Sequence, residues 1–408
     1  MSVKLGAFGL GYNQHPKEPQ MTTNHPDSKT AREPYRNNPR VEEDAAGVWH
    51  IRGYAEAKDL LKEDLLQDGF NADDVNKSGL DPVLYQYGEV HRKQRAAIAK
   101  YFSPTTVSQK HNAMMERVAD EIIADLVKAK RADLRHFTTR MATSVAAAVV
   151  GLNPTDGLVK RLDAMLHTED NAAKNPLLRI FEPIRINWQR ISFLLFDVRP
   201  AIRERRRNPQ DDVISYMLSK GKSEIAIFAE CVVYGAAGMA TTQEFICVTL
   251  MHAMEDPEIR QALASDDINV RYEALHEILR LEPVIGKIKR KTLEPVSVTS
   301  NGETHAIPAH AKIEFHVYDV NVDEKSVGEE PDRLQPHRDL EKGTYRSLIG
   351  FGSGPHRCAG EHLAISETDI FIRKLMALKG LRVIKPPKIS YNLTVEGYEI
   401  SDYVVEVD

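Results

Sequence analysis

Apolar residues recur at intervals of three and four positions over much of the chain. This spacing is typical of amphipathic helices that bury one face. It predicts helices over residues 54–61, 91–102, 106–128, 136–151, 267–281 and 361–376. A longer helix is predicted from Ser223, a residue type favoured at the N-cap, to Glu255, which precedes Pro257. At ~1.5 Å per residue this helix is roughly 50 Å long, enough to cross a whole domain.

Strand patterns are shorter and fewer. Alternating apolar residues predict strands at 47–51, 296–299, 312–317, 380–384 and within 389–408, with a turn at Asn301 and Gly302 between the second and third. Residues 70–87 are rich in Asp, Asn, Gly and Pro and are predicted to form a long loop, a kind of segment that often carries function. Residues 1–40 contain five prolines and predict an irregular arm. The pattern therefore indicates a mainly α fold with a small β region. The length allows two or three domains or one large core, and we predict a single domain over residues 41–408.

Composition narrows the class of protein. Apolar residues are 42% and charged residues 28% of the 408 residues, as in soluble globular proteins, and a net charge of −5 gives no reason to expect nucleic-acid binding. The three cysteines lie far apart without a CxxC pair, which argues against a disulfide framework or a zinc site and fits the cytoplasm. We expect no signal peptide and no membrane anchor, since the most apolar stretch, 225–240, is short and interrupted by Glu230.

A glycine-rich segment precedes the last predicted helix. Residues 350–360, here called the cysteine loop, contain four glycines and Cys358. Glycine permits close backbone approaches, and amides at the start of a helix favour a thiolate, so Cys358 suits a soft metal ion. A turn that holds a buried, inert cysteine is the alternative.

The order Phe351-Gly352-x-Gly354-x-His356-x-Cys358-x-Gly360 resembles the cysteine-ligand loop of the cytochrome P450 (haem-thiolate) superfamily at all six fixed positions. The resemblance implies that haem b lies between the cysteine loop and the long central helix. It also implies that Cys358 is the iron ligand, whose thiolate pushes electron density towards O–O cleavage.

Basic residues match the family's haem-propionate positions. His91 and Arg95 are four apart and share a helix face, which alone also fits a solvated basic face. Beside the cysteine loop, the resemblance implies that both hold propionates, together with Arg290 and His356. Three further cations of this helix would remain outside as a docking patch for an acidic redox partner: Arg92, Lys93 and Lys100.

The centre of the predicted long helix is rich in small residues. Ala237, Gly238 and Thr241 match the family pattern Ala/Gly-Gly-x-Asp/Glu-Thr, which implies that the helix backbone lies close to the haem and that Thr241 helps to hold O2 and deliver protons. Ala240 occupies the position of the acid and departs from the pattern. Glu244, four residues further on the same face, is a candidate proton carrier, with a purely structural role as the alternative.

Two other segments match the family. Glu277 and Arg280 form the Glu-x-x-Arg pattern that braces the cysteine side, and Arg333 is the predicted third member. Residues 176–196 are rich in apolar side chains, which fits either a lid over the substrate or a core helix.

The resemblance implies a haem-thiolate monooxygenase that activates O2 with electrons from ferredoxin or another separate donor and hydroxylates or dealkylates a small organic substrate. Two alternatives remain open. One is a nitric oxide reductase-like or peroxide-using relative, in which Lys287 and Lys289 meet an anionic cofactor. The other is a non-catalytic haem- or ligand-binding protein.

Overall fold

The central helix, Glu224–Glu255, runs through the middle of the molecule. Ser223 caps its start, because its Oγ accepts a hydrogen bond from the backbone N–H of Ala226 at 3.2 Å. Asp256 follows its end and caps the next helix through the N–H groups of Glu258 and Ile259. Both predicted ends of this helix are therefore confirmed.

The computed structural model describes residues 27–31, 38–70, 72, 75, 79–166, 182–392 and 396–408. Most of the predicted arm 1–40 lies outside these residues, and the boundary at residue 41 stays a prediction. Helices dominate the described chain, with the following longer members: Tyr54–Leu60, Gly88–Phe102, Asn112–Ala129, Leu134–Val150, Asp156–Leu166, Glu182–Phe193, Arg199–Arg207, Val213–Ser219, Glu224–Glu255, Pro257–Leu263, Ile268–Leu281 and Glu361–Met376. Three helices are shorter: Pro104–Thr106, Val317–Asn321 and Glu324–Val327.

The central helix contacts its neighbours closely where it carries glycine. It packs along Leu134–Val150, and a Cβ added to Gly238 would lie only 2.7 Å from the Cβ of Ala146. By length and composition the central helix could cross a membrane. Here it lies between other helices, and most of its side chains belong to the core of the described chain.

Among the described residues, short strands form four small sheets. The strands are β1 (Val41–Glu43), β2 (Val48–Ile51), β3 (Leu66–Gln67), β4 (Arg131–Asp133), β5 (Lys287–Lys291), β6 (Val296–Ser300), β7 (Glu303–Ile307), β8 (Lys312–His316), β9 (Arg382–Lys385), β10 (Lys388–Asn392), β11 (Gly397–Ser401) and β12 (Val404–Glu406). The largest sheet has the order β1-β2-β8-β5-β3, in which only β2 and β8 are parallel among its pairs. A second apolar core lies with this sheet and is separate from the core of the helices.

Strand pairing differs from the prediction at one turn. The turn at Asn301 and Gly302 is present, with φ of 51° and 85°, the positive values of a two-residue hairpin. It joins β6 to β7, however, and not to β8, which pairs with β2 and β5. Strands β5 and β7 were not predicted from the sequence. β7 is largely polar and β5 is largely charged, so neither shows the alternation of apolar residues that is typical of a half-buried strand.

The Glu-x-x-Arg pair is buried beside the cysteine loop. Arg280 donates to both carboxylate oxygens of Glu277 at 2.7 and 2.8 Å. The third member is Arg338, whose Nε donates to Glu277 at 3.1 Å. The prediction of Arg333 is wrong, since its side chain is half exposed and donates to Asp27, and only its backbone carbonyl joins the group.

A buried carboxylate also anchors the start of the described chain. Glu282 is fully buried and accepts hydrogen bonds from the backbone N–H of Lys29 at 2.6 Å and of Thr30 at 3.0 Å. The Ser28 hydroxyl adds a contact at 3.2 Å, and His252 of the central helix lies 2.7 Å away. Residues 28–30 are thereby fastened to the last turns of two core helices.

Candidate active site

A cavity of about 450 Å³ lies between the central helix and the cysteine loop. Apolar side chains dominate its wall, as in most small-molecule sites. The structure brings eleven of the twelve predicted site residues to this wall: His91, Arg95, Ala237, Gly238, Thr241, Arg290, Phe351, Gly352, His356, Cys358 and Gly360. The twelfth, Glu244, is not among the residues that line it.

Cys358 sits at the end of a tight loop. Its backbone N–H donates to the carbonyl of Phe351 at 2.8 Å. Gly354 has a φ of 65°, and a Cβ there would collide with the carbonyl of Leu61, so only glycine fits this position. The Cys358 side chain is exposed to the cavity yet lies deep in the protein. Burial raises the pKa of its thiol, while a hydrogen bond from the N–H of Gly360 acts in the opposite direction.

Four basic residues from three segments of the chain form a cationic cluster: His91, Arg95, Arg290 and His356. The two imidazole rings stack with centroids 4.0 Å apart. Arg95 donates to the carbonyl of Arg357, and Arg290 donates to the side chain of Gln67. Within the described chain, no carboxylate forms an ion pair with any of the four.

Burial and crowding lower the basicity of this cluster. Burial and the charge of Arg95 lower the pKa of His91 to about 4. Burial, Arg290 and His91 lower the pKa of His356 to about 3, and burial lowers that of Arg290 to about 10. Buried cations without carboxylate partners are costly, so the cluster fits an anionic ligand.

On the central helix, the Thr241 hydroxyl donates to the carbonyl of Ala237 at 2.7 Å. Such a bond takes the carbonyl of the preceding turn and bends a helix. Thr241 and Ala240 both line the cavity, so the position that carries an acid in the family pattern presents only a methyl group.

Glu244 is held in the core. It accepts hydrogen bonds from the N–H of Ile400 at 2.7 Å and from Gln243 at 3.1 Å. Burial raises the pKa of its carboxyl to about 7, although the nearby charge of Arg135 opposes this shift. This placement favours the structural alternative, and the predicted role in proton delivery gains no support from it.

One acid on the cavity wall was not predicted. Glu367 lies on the helix Glu361–Met376, is buried, and burial raises the pKa of its carboxyl to about 8. Its Oε1 has no hydrogen-bond partner among the described residues. The sequence contained a clue to this residue. Glu367 is spaced four residues after Leu363 and three before Ile370, so it lies on the same buried helix face, where a charged residue is unusual.

The predicted loop 70–87 and the apolar region 176–196 both contribute residues to the cavity wall. Phe70, Val83 and Tyr85 line it from the predicted loop 70–87, of which residues 71, 73, 74 and 76–78 lie outside the description. From the region 176–196, Gln189 and Arg190 line it, whereas residues 176–181 are not described.

This donor set fits a haem. A single thiol faces a helix of small residues across the cavity, and the cationic cluster can take two carboxylates. Three separate features thus match an iron ligand, a flat ring and two propionates. A closed zinc site would need further Cys or His ligands around Cys358, and the three cysteines of the chain are all free thiols.

Comparisons with known proteins agree with this geometry. The family described as "Cytochrome P450" matches residues 55–379. The chain is 24% identical over 364 residues to the erythromycin C-12 hydroxylase of Saccharopolyspora erythraea, covering 85% of each chain. It is 22% identical over 385 residues to cytochrome P450(MEG) of Priestia megaterium, covering 88% of each.

Solved structures share the fold. The crystal structure of CalO2 superposes with a TM-score of 0.75 at 17% identity and covers 92% of this chain and 94% of that one. A mutant of P450 EryK in complex with erythromycin B gives a TM-score of 0.71 at 21% identity, covering 91% and 94%. Members of this family bind haem b through a cysteine thiolate. The chain belongs to the cytochrome P450 family and is a haem-thiolate monooxygenase that acts on small organic substrates.

Proposed function

We propose that the chain holds haem b through Cys358, receives electrons from a separate ferredoxin-type donor, and hydroxylates or dealkylates a small, mainly apolar substrate. The observation that carries this proposal is that Cys358, Thr241 and the cationic cluster line one cavity. When bound, the haem supplies reductive activation of O2 and insertion of one oxygen atom into the substrate.

The cationic cluster is assigned to the two haem carboxylates. Arg95 and Arg290 supply positive charge and several N–H donors, which gives charge-assisted hydrogen bonds. The lowered pKa values of His91 and His356 favour neutral imidazoles, each of which can donate through one N–H group. Two guanidinium groups and two neutral imidazoles can thus neutralise the two haem carboxylates, and only two of the four protein groups carry a buried positive charge.

Thr241 is assigned to the oxygen-binding side of the cavity. Its hydroxyl proton is engaged by Ala237, so the oxygen atom of Thr241 can accept a hydrogen bond from a protonated group in the cavity. Because Ala240 has no acidic group, we assign proton supply to Glu367 or to ordered water. Glu367 is the acid that lines the cavity within the described chain, and its raised pKa keeps it protonated near neutral pH.

The exposed cations Arg92, Lys93 and Lys100 remain our candidate surface for the electron donor. Each has a carboxylate partner: Asp64 at 2.8 Å, Glu89 at 2.7 Å and Asp211 at 3.0 Å, respectively. These carboxylates reduce the net positive charge of the surface below what the three cations alone would give. Electrostatic steering of an acidic electron donor to this surface is therefore modest. We also propose a cytoplasmic location, which the three free thiols support.

The nitric oxide reductase-like alternative rests on the missing acid at Ala240. In that alternative Lys287 and Lys289 would meet an anionic cofactor. Lys287, however, lies 2.7 Å from Glu314, and Lys289 contacts both Glu314 and Glu396. Since both lysines are already paired with carboxylates, the structure favours the monooxygenase. Turnover with NADH and nitric oxide alone, but none with ferredoxin, O2 and substrate, would reverse this preference.

The haem-ligand assignment is tested by spectroscopy. We expect the reduced protein with carbon monoxide to give the strongly red-shifted Soret band of a thiolate-ligated haem, and Cys358→Ser to lose it. Cys231→Ser and Cys247→Ser are matched controls, because both thiols are buried away from the cavity wall. A Cys358→Ser protein that keeps the band would refute the assignment.

The role of Thr241 is tested by the coupling of electron use to product. We expect Thr241→Ala to lower product formed per electron pair and to raise hydrogen peroxide release. Thr249→Ala is the control, since Thr249 makes the same hydroxyl bond to a carbonyl four residues earlier, at 2.7 Å, but does not line the cavity. Unchanged peroxide release in Thr241→Ala would remove Thr241 from the mechanism.

A further inference from the structure

Two histidines and a glutamate meet on strands β2 and β8, and none of them lines the haem cavity. His50 lies opposite Glu314 in the parallel register of these strands. His316 follows Glu314 by two residues, so both side chains project from the same face of β8. The ladder thus fixes the relative positions of all three, and the cluster is half-buried to buried.

The spacing of the donor atoms suits one metal ion. One donor atom from each residue lies within 4.8 Å of the others. His50 Nδ1 is 2.9 Å from His316 Nε2 and 3.8 Å from a carboxylate oxygen of Glu314. Nitrogen ligands at about 2.0–2.1 Å from a tetrahedral ion are roughly 3.3 Å apart, so small side-chain shifts satisfy this geometry.

A second carboxylate supports the assignment. The other nitrogen of His50, Nε2, lies 3.1 Å from Asp44 Oδ2. Histidines that bind metals commonly donate their second N–H to a carboxylate, which fixes the tautomer and strengthens the ligand nitrogen. Here that contact directs the lone pair of His50 Nδ1 towards His316 and Glu314.

We propose that His50, Glu314 and His316 form a binding site for a divalent transition metal ion of the zinc type. Two imidazoles and one carboxylate suit zinc, whereas magnesium and calcium prefer oxygen ligands throughout. Three protein ligands leave a fourth position for water.

Lys287 competes with the metal ion for the same carboxylate. Its Nζ lies 2.7 Å from Glu314 Oε2, the carboxylate oxygen that lies 3.8 Å from His50 Nδ1, so the positive charges of the ammonium group and of the ion oppose each other. Lys287 also lines the haem cavity. Binding at the sheet therefore weakens the hold of Glu314 on a cation of the cavity wall, which couples the two sites.

The test uses the haem-loaded protein, stripped of adventitious metal with a chelator and titrated with zinc chloride. Calorimetry and equilibrium dialysis with metal analysis are expected to give one saturable zinc per chain, with magnesium chloride giving none. His50→Ala and His316→Ala are each expected to weaken zinc binding at least about tenfold. Lys287→Met is expected to strengthen it, because the competing ammonium is gone.

The control variant is His337→Ala, which removes an exposed histidine that contacts a single carboxylate, Glu273, at 2.9 Å. It is expected to bind zinc like the unaltered protein, and the carbon monoxide spectrum verifies that every variant retains its haem site. The proposal would be overturned if the unaltered protein showed no saturable zinc binding, or if zinc binding survived both His50→Ala and His316→Ala. The contact between His50 and His316 would then be only a structural hydrogen bond. An unaltered zinc affinity in Glu314→Gln would exclude Glu314 as a ligand, and an unaltered affinity in Lys287→Met would exclude competition by the ammonium group of Lys287.

Discussion

At the scale of single residues, buried ionisable groups define how this protein responds to pH. Glu230 is the clearest case. It lies on the central helix, 3% exposed, and accepts hydrogen bonds from the N–H of Val83 at 2.8 Å and from the side chain of Gln94 at 3.0 Å. Burial raises the pKa of its carboxyl to about 7. Val83 lines the cavity, so the hydrogen bond to Glu230 connects the cavity wall to the central helix.

This raised pKa predicts a stability change with pH. A carboxyl whose folded pKa exceeds its unfolded value stabilises the fold fully below pH 4.5, and this contribution is lost as pH rises through about 7. Glu230→Gln keeps the acceptor and removes the titration. Relative to this variant, we expect the unaltered protein to lose up to about 3 kcal/mol of unfolding free energy between pH 5 and 8. Urea unfolding at four pH values measures it, and parallel curves for the two proteins would contradict the prediction.

Arg338 and Arg333 give a second contrast between single residues. Arg338 donates to Glu277 and to four backbone carbonyls, whereas the Arg333 side chain is half exposed. Lysine cannot reproduce the fork of guanidinium donors. We expect Arg338→Lys to lower the unfolding free energy by about 3–5 kcal/mol and to reduce haem content, and Arg333→Lys to change it by less than about 1 kcal/mol. Equal losses in the two variants, by urea unfolding, would show that Arg338 is not the brace.

At the scale of secondary-structure elements, the close contact of two helices at Gly238 and Ala146 organises the wall of the cavity. A methyl group on Gly238 would overlap that of Ala146. We expect Gly238→Ala to cost about 1–3 kcal/mol in packing, partly offset by about 1 kcal/mol of helix propensity. The double variant Gly238→Ala/Ala146→Gly restores the space, so the two changes should couple favourably by about 1–3 kcal/mol. Additive effects in urea unfolding would mean that the helices separate freely.

Elements whose ends are set by local chemistry were predictable from the sequence. Ser223 and Asp267 start helices because their side chains cap backbone N–H groups of the first turn. Strand β5 was not predictable, since its sequence KIKRK owes its pairing to β8 and β3 and not to its own pattern. In the same way, Arg333 and Arg338 are indistinguishable along the chain, and only the path of the backbone decides which one reaches Glu277.

At the scale of the whole molecule, the cationic cluster combines His91 and Arg95, which share one helix face, with Arg290 and His356, which no periodicity relates to them. The resemblance to a family predicted all four as propionate ligands, whereas the residue pattern alone favoured a solvated basic face for the helix of His91 and Arg95. Gln67 and Glu367 complete the same wall, and they escaped prediction because contacts across the fold place them there.

Association with the electron donor is also a property of the whole surface. Because Asp64 and Glu89 mask Arg92 and Lys93, we expect Asp64→Asn/Glu89→Gln to speed reduction by an acidic ferredoxin several-fold. Arg92→Glu/Lys93→Glu should slow it, and both effects should shrink as salt rises. Stopped-flow reduction at several ionic strengths measures this. Rates that respond to neither pair would place the donor elsewhere.

The anchoring of residues 28–30 by Glu282 affects how the protein is made. The contact joins positions 253 residues apart, so residues 28–30 leave the ribosome long before Glu282 is synthesised. At about 5–20 residues per second, synthesis of the intervening chain takes on the order of 10–50 s. During this interval the segment has no buried carboxylate to bind and is available to chaperones and proteases. Docking of residues 28–30 therefore follows the synthesis of Glu282 and is a late step relative to the folding of the residues between them.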